Sequence, residues 1–178
     1  MLLVVGLGNP GKEYINTRHN AGFLILDKLV SELRYPLFKQ EKKFNAEISI
    51  GATDMSKIIV AKPQTFMNES GKAVRALMDF YKITTKNLIV VHDDKDILLG
   101  DIKVQTNRSA AGHRGVESIV EQLSSQDFTR VRVGVAWADK EKMGDTADFV
   151  LKKFAKDEQS ILDRIINRAV DEIKKLII

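Results

Sequence analysis

The sequence "LLVVGLGNPG", Leu2 to Gly11, joins an apolar run to a glycine-rich loop. Its LLVV run is continuously apolar and β-prone, which is typical of a strand buried on both faces, as in a parallel sheet. The glycines that follow, Gly6, Gly8 and Gly11, have the G-x-G-x-x-G spacing of a dinucleotide-binding loop. The first question is therefore whether this loop binds a dinucleotide or does something else.

The dinucleotide interpretation fails on its context. The third glycine of such a loop opens an apolar helix, and an acidic residue about 20 positions later ends the second strand. Here Lys12 to Asn20 is polar and has no helical stripe, and Asp27 and Glu32 fall inside a predicted helix. The loop is therefore predicted to have a role other than dinucleotide binding.

The loop carries a set of polar side chains after a buried strand: Asn9, Arg18, His19 and Asn20. Loops on rigid scaffolds often carry functional residues. The Asn-Pro-Gly sequence could instead be only a turn, and Asn20 only the N-cap of the next helix. Both alternatives leave the role of His19 open.

Length, composition and net charge limit the class of protein only broadly. A chain of 178 residues with 44% apolar residues suits one domain, residues 1–178, with a full core. The net charge of +4 permits a polyanionic partner without requiring one. The absence of cysteine excludes thiol nucleophiles, disulfides and thiolate metal sites. With no signal-peptide pattern and no apolar run of membrane-spanning length, we expect a cytoplasmic protein without membrane contact.

The rest of the chain alternates between strand and helix patterns. Strands are predicted at 44–50, 57–61, 87–91, 102–106 and 130–136, and helices at 20–34, 70–81, 115–123 and 157–178. This order predicts an α/β fold with a parallel or mixed sheet. Charged strand ends such as "HDD" at 92–94 should then lie at the carboxyl edge, where open α/β sheets bind their ligands.

Two further stretches are dense in functional residue types. In "KPQTFMNESGKAV", 62–74, Asn68 could be an N-cap, but capping does not explain why Phe66 and Met67 stand beside it on a polar turn. In "VVHDDKD", 90–96, successive strand residues point to opposite faces, so a convergent metal site is disfavoured. A carboxylate that orients an imidazole is a more economical use of this motif.

The stretch "SAAGHRGVESI", 109–119, has small residues that would let a ligand approach the backbone. Its histidine, His113, could be a second catalytic histidine or a structural residue near a helix start. Because nothing adjacent in sequence looks like a partner for it, we expect a structural role.

Taken together, "VGLGNPGKEYINTRHNAGF", "KPQTFMNESG", "HDDKD", "GHRG" with "ESI", "FTRVRVGV" and "DFVLKKF" resemble the bacterial-type peptidyl-tRNA hydrolase family. The stretches run in the family's order over nearly the whole chain. The resemblance implies a single-domain, three-layer α/β/α fold with a twisted mixed sheet. It also implies hydrolysis of the ester between a peptide and the 3′ ribose of tRNA, by a monomer, without metal or cofactor. The expected partner is peptidyl-tRNA, contacted at its acceptor stem and CCA end.

The resemblance also assigns roles to individual residues. His19 is similar to the family's catalytic histidine and Asp93 to its carboxylate partner. Asn9 and Asn68 resemble the two positioning asparagines, while the role of Asn20 stays open. The expected contacts to substrate or tRNA are Tyr14, Phe66, Met67, Asn68, Lys103, Arg108, Arg114 and Arg132.

These roles agree with ester chemistry. Histidine titrates near neutrality and suits general-base work, and a buried aspartate would fix its tautomer and stabilise the imidazolium. The amide of Asn68 could donate to the developing oxyanion, while Asn9 could orient the water or the ester.

Two positions depart from the family pattern. Arg114 stands where asparagine is usual, and Gln105 where a base that helps hold a tRNA phosphate is usual, while Arg132 keeps the other half of that clamp. Two rival functions remain: an RNA-binding protein on the same fold that no longer hydrolyses, like organellar relatives that assist splicing, and a small-molecule esterase. The absence of a G-x-S-x-G elbow disfavours an esterase of the common serine type.

Overall fold

The LLVV run forms the central strand of one mixed sheet in the computed structural model, which describes residues 1–177. The strands are β1 Leu2–Gly6, β2 Lys39–Glu41, β3 Ala46–Ala52, β4 Lys57–Pro63, β5 Leu88–Leu98, β6 Ile102–Thr106 and β7 Thr129–Ala136. The helices are α1 Ala21–Glu32, α2 Ser70–Tyr81, α3 Arg114–Leu123, α4 Thr146–Leu151 and α5 Gln159–Ile177. The strands lie in the order β2-β3-β4-β1-β5-β7-β6.

The pairing of the strands explains the apolar composition of the centre. β1 is parallel to β4 on one side and to β5 on the other, and β5 is parallel to β7. Antiparallel strands β3 and β6 extend the two sides, with β2 at the outer edge beyond β3. A strand inside a parallel region is covered on both faces, which is why β1 reads as a continuous apolar run.

The core is divided between the two faces of the sheet. Leu3 and Val5 pack in a cluster with side chains of α2 and α3, whereas Val4 packs in a cluster with side chains of α1 and α5. This arrangement confirms the predicted α/β fold with a mixed sheet between two helical layers.

A very close approach of α1 to β1 explains part of the glycine pattern. A Cβ atom on Gly22 would lie 2.4 Å from the backbone nitrogen of Leu7 and 2.5 Å from the carbonyl oxygen of Val91. A Cβ atom on Gly6 would lie 2.5 Å from the carbonyl oxygen of Gly22. Gly6, at the end of β1, therefore lets the start of α1 pack against the strand. This packing accounts for the glycine without a dinucleotide-binding role.

Four elements differ from the sequence prediction. β5 continues to Leu98, so the "HDD" motif lies inside the strand, not at its end. β2 and α4 were not predicted, because a polar three-residue strand and a six-residue helix carry little periodic signal. The last helix begins at Gln159, after a 3₁₀ turn at Lys156–Glu158, and its predicted final residue, 178, lies outside the described residues.

No helix within residues 1–177 is both long enough and apolar enough to cross a membrane.

We expect the substitution Gly22→Ala to destabilise the protein, because its methyl group would collide with backbone atoms of β1 and β5, which cannot rotate away. Overpacking of this kind costs about 1–3 kcal/mol of unfolding free energy. Chemical denaturation measures the loss. Ser31→Ala, on the exposed face of the same helix, is the control and should change stability by less than about 0.5 kcal/mol. Equal denaturation midpoints for both variants would contradict this account of the helix contact.

Candidate active site

A cleft of about 530 Å³ opens beside the carboxyl ends of β1 and β4. Its walls come from five parts of the chain that are distant in sequence. Their lining residues are Asn9, His19, Phe66, Met67, Asn68, Asp93, Asp94, Lys95, Asp96, Ala110, Ala111, Gly112, His113, Arg114, Asp145, Thr146, Ala147, Val150 and Leu151. The cleft therefore collects most of the predicted catalytic and binding residues.

The centre of the cleft is a buried carboxylate that binds two imidazoles. Oδ1 of Asp93 lies 2.9 Å from Nδ1 of His19 and 3.0 Å from Nε2 of His113. The side chain of Asp93 is 2% exposed, and those of His19 and His113 are 13% and 9% exposed. The pairing of His19 with a carboxylate was predicted, but the second imidazole was not.

The tautomer of His113 follows from its other contact. Its Nδ1 accepts a hydrogen bond from the backbone N–H of Val116 at 3.3 Å, so Nε2 carries the proton and donates to Asp93. The same residue caps α3. The expectation of a structural histidine was thus incomplete: His113 does cap a helix, but its partner is Asp93, which is distant in sequence.

The protonation states of the central pair follow from this geometry. Burial would raise the pKa of Asp93, but the electrostatic attraction and hydrogen bonds of the two imidazoles outweigh it and hold that pKa well below its usual range. For His19, burial lowers the pKa, but the charge and hydrogen bond of Asp93 outweigh burial and raise it above the ordinary value, while Arg114 opposes that rise. Ionised Asp93 therefore accepts a hydrogen bond from the N–H at Nδ1 of His19, which leaves Nε2 of His19 as the basic atom.

Asn20 holds the loop that carries His19. Its Oδ1 accepts from the backbone N–H of Asn9 at 2.9 Å, and its Nδ2 donates to the backbone carbonyl of the same residue, also at 2.9 Å. The alternative in which Asn20 caps α1 with its side chain is wrong, since no such hydrogen bond forms at that helix start. Asn20 instead joins the start of the helix to the loop after β1.

The side chain of Asn9 has a fixed orientation. Its Oδ1 accepts from the backbone N–H of Met67 at 2.7 Å, so its acceptor is occupied and its Nδ2 remains as a donor on the cleft side. Asn68 also lines the cleft but is exposed, and it caps neither the 3₁₀ turn at Met67–Glu69 nor α2. Of the two asparagines, Asn9 is therefore the better positioned donor.

Apolar side chains form opposite walls of the cleft. Phe66 is 57% exposed and Leu151, from α4, is 43% exposed, and both line the cavity. The α4 wall was missed from sequence, although Asp145 is an N-cap whose side chain accepts from the backbone N–H groups of Ala147 and Asp148. An aspartate followed by a short apolar run was the available signal.

The predicted basic contacts divide into two groups. Arg114 is exposed and lines the cleft, whereas Lys103 and Arg108 are exposed but lie outside its lining, as does half-buried Tyr14. Arg132 is 6% exposed. It does not present a free cation.

The guanidinium of Arg132 is already bonded within the protein. Its Nε donates to Oδ2 of Asp94 at 2.8 Å, its Nη2 forms an ion pair with the same oxygen at 2.7 Å, and its Nη1 donates to Oε1 of Gln105. Gln105 stands where the family usually has a basic residue that binds a tRNA phosphate together with Arg132. In this structure Gln105 is instead a hydrogen-bond partner of Arg132. A phosphate would have to compete with both partners for this arginine.

The donor atoms of His19, Asp93 and His113 lie within 4.8 Å of one another, a spacing that a transition metal could also bridge. Both imidazole nitrogens hydrogen-bond the same carboxylate oxygen, which accounts for the convergence of the three side chains. Hydrolysis without a metal stays a prediction.

An imidazole held by a buried carboxylate, with a fixed amide donor nearby and apolar walls around it, defines a hydrolase-type site at the edge of an α/β sheet. The family described as Peptidyl-tRNA hydrolase matches residues 3–178. This protein belongs to the peptidyl-tRNA hydrolase family.

Individual relatives agree with this membership. The chain is 42% identical over 173 residues to a peptidyl-tRNA hydrolase of Caldanaerobacter subterraneus, covering 97% of this chain and 91% of the relative. It is 44% identical over 170 residues to that of Mycoplasma mycoides, covering 93% and 89%. The crystal structure of peptidyl-tRNA hydrolase from Acinetobacter baumannii superimposes with a TM-score of 0.89 at 34% identity, covering 99% of this chain and 88% of the other.

We expect the substitution Arg114→Asn to raise the pKa of His19 further, because it removes a positive charge that disfavours the imidazolium. Less of the free base would then be present at neutral pH, and the acidic limb of kcat/KM would move to higher pH. An NMR titration of the His19 ring protons measures the shift. Lys103→Gln, which removes one charge outside the cleft lining, should leave the titration unchanged. A lower pKa in Arg114→Asn would contradict the proposed electrostatic coupling.

Proposed function

We propose that His19 is the general base with which this peptidyl-tRNA hydrolase activates water against the ester between the peptide and the 3′ ribose of tRNA. The activity follows from membership of the family. The observation that carries the role of His19 is its 2.9 Å contact with buried Asp93, which leaves Nε2 as the basic atom in the cleft. A positioned base of this kind contributes about a hundredfold to ten-thousandfold to the rate.

The reaction can be written with these groups alone. Nε2 of His19 removes a proton from water as the water oxygen attacks the ester carbonyl, and the carbonyl oxygen gains a negative charge. The tetrahedral intermediate then expels the ribose oxygen, which takes the proton back from the His19 imidazolium. The products are the free peptide acid and tRNA with its 3′ hydroxyl restored.

The oxyanion would be stabilised by Nδ2 of Asn9, the donor that remains after Met67 has occupied the acceptor of that side chain. A single donor of this type is worth about 3–4 kcal/mol where it has been measured in other enzymes. Asn68, which is exposed at the rim, would add a second, more mobile donor to the ester or the attacking water.

Asp93 would act through His19. Its negative charge stabilises the imidazolium that forms during attack, and its hydrogen bond fixes the tautomer. His113 would hold the carboxylate in place by donating from Nε2 without competing for the water. Because His113 Nδ1 already accepts from Val116, His113 has no free basic nitrogen of its own.

The substrate contacts follow the walls of the cleft. We propose that Phe66, Met67 and Leu151 hold the peptide, with Arg114 near the CCA end of tRNA. Lys103 and Arg108 lie on the β6–β7 side and would face the acceptor stem. Arg132 would join them where a phosphate displaces Asp94 or Gln105 from its guanidinium. Tyr14 would support the loop that carries His19. The whole chain, residues 1–178, would act as one domain and as a cytoplasmic monomer.

A second function, RNA binding without hydrolysis on the same fold, is disfavoured by the complete His19–Asp93 pair in an open cleft. Release of N-acetyl amino acid from N-acetylaminoacyl-tRNA distinguishes the two functions, with unblocked aminoacyl-tRNA as the control. Binding of both tRNAs without release of either product would favour the RNA-binding function.

We expect His19→Ala to lower the rate of N-acetylaminoacyl-tRNA hydrolysis by about a hundredfold or more, because it removes the base without altering the core. Release assays measure the rate, and circular dichroism with thermal unfolding checks that the fold is intact. His19 lies in a 3₁₀ turn outside the hydrophobic core and Asp93 keeps His113 as a donor, so stability should fall while the fold is retained.

The contrary outcome is a folded His19→Ala protein that keeps more than about a tenth of the rate, which is too much for loss of a general base. Parallel assays after treatment with a chelator serve as a control. Activity that is lost on chelation and restored by one divalent ion would replace the metal-free mechanism.

We expect Arg114→Asn to weaken binding of an uncleaved tRNA analogue and to flatten the salt dependence of Kd, because Arg114 is an exposed cation that lines the cleft. Each phosphate contact contributes about one unit to the slope of log Kd against log salt. Lys175→Gln, an exposed substitution near the end of α5, should leave the slope unchanged. Parallel lines for Arg114→Asn and the unmodified protein would mean that Arg114 makes no phosphate contact.

A further inference from the structure

The residue before the proposed base is a buried arginine. Arg18 is 1% exposed and stands next to His19 in the turn that precedes α1. Its Nη2 donates to both carboxylate oxygens of Glu158 at 2.8 and 2.6 Å. Its Nη1 donates to the backbone carbonyls of Lys152 and Lys153 at 3.3 and 2.7 Å. One guanidinium therefore binds a segment that lies 134 to 140 residues further along the chain.

That segment continues directly from one wall of the cleft. α4 contributes Leu151 to the cleft lining and ends there, and the carbonyl of the next residue, Lys152, also accepts from the backbone N–H of Arg18 at 3.1 Å. Thr17 and Lys153 form an antiparallel β-bridge. The chain that carries His19 and the chain that leaves α4 thus run side by side.

The orientation of the guanidinium is fixed from all sides. Its central carbon lies 4.6 Å from the ring centre of Phe149 and within 5.3 Å of those of Trp137 and Phe154. The indole N–H of Trp137 donates to Glu158 at 2.7 Å. A planar group with several directed donors is required here, and lysine offers only a single flexible ammonium in its place.

Stability alone explains this arrangement poorly. The cost of removing two charges from water often cancels the attraction of a buried ion pair, and apolar replacements are often equally stable. Nε of Arg18 is also buried without a hydrogen-bond partner among the described residues, which adds a further cost. A buried pair that contributes little net stability but fixes two segments in one geometry points to a positioning role.

We propose that Arg18 and Glu158 form a latch that holds the α4 wall of the cleft in register with His19, which makes Arg18 a positioning residue for ester hydrolysis. This inference rests on the proposed role of His19. In the proposed function, the peptide side of the substrate contacts Leu151 of α4 while its ester carbonyl meets the water at His19. A shift between these two parts of the site therefore disturbs binding and chemistry together.

The test is Arg18→Lys, which keeps the positive charge but cannot bind Glu158 and two carbonyls at once. With N-acetylaminoacyl-tRNA, well below the unfolding temperature, kcat/KM should fall about tenfold to a hundredfold, the size of effect that small misplacements produce. Both a lower kcat and a higher KM should contribute. Unchanged kcat and KM in a protein that only unfolds more easily would overturn the latch and leave Arg18 a structural residue.

The control is Ile173→Ala, which removes a fully buried side chain of α5 and lowers stability without touching the latch. It should keep the kcat and KM of the unmodified protein. NMR titration of His19 adds a readout independent of turnover. The contact with Asp93 should loosen in Arg18→Lys, so the pKa of His19 should fall, whereas Ile173→Ala should titrate like the unmodified protein.

If Arg18→Lys does not fold, the double variant Arg18→Met with Glu158→Gln tests the proposal instead. It removes both charges of the latch, and the amide oxygen of the glutamine remains as an acceptor for the indole N–H of Trp137. It should be folded and at least tenfold less active, whereas full activity would overturn the proposal. Failure of the latch is distinguishable from failure of the general base. If the latch proposal fails, His19 in the Arg18 variants has its normal titration and the variants have normal kcat and KM. If the general-base proposal fails, His19→Ala retains its rate.

Discussion

The hydrogen bonds of one buried carboxylate organise the catalytic half of the molecule. Asp93 is nearly inaccessible to water, and an ionised carboxylate in that position requires donors on its oxygens. It obtains them from His19, before α1, and from His113, at the start of α3. Because these helices lie on opposite faces of the sheet, the carboxylate joins both helical layers at the middle of β5. An imidazole fixed in this way needs no reorganisation to act as the proposed base.

The close contact of α1 with β1 makes that geometry possible. Gly6 and Gly22 let the helix start against the strand, and Asn20 then ties the helix start to Asn9. Asn9 in turn accepts from the backbone N–H of Met67, in the connection between β4 and α2. The spacing of glycines that imitates a dinucleotide loop is therefore partly explained by packing. The glycines allow α1 to contact the end of β1, and polar residues between them line the cleft.

Sequence patterns predicted the parts of this structure that depend on local periodicity. The apolar runs of β1, β4 and β7 and the stripe of α5 identified strands and helices correctly because burial on one or two faces imposes a repeat. The pairing of His113 with Asp93 and the wall formed by α4 were missed because they depend on long-range contacts and on a six-residue helix. The burial of Arg132 was missed for a similar reason. Its partners, Asp94 and Gln105, come from two different strands.

Three buried charged residues of this protein have the same structural role. Asp93, Arg18 and Arg132 each form several hydrogen bonds, and each joins segments that are far apart in sequence. Buried ion pairs contribute little net stability, but removing one partner leaves an uncompensated charge, so they restrict the geometries that the chain can adopt. Around the cleft this restriction acts on His19 through Asp93, on the α4 wall through Arg18 and on the β6–β7 edge through Arg132. The apolar core makes the fold stable, and the buried charges determine where the walls of the cleft stand relative to His19.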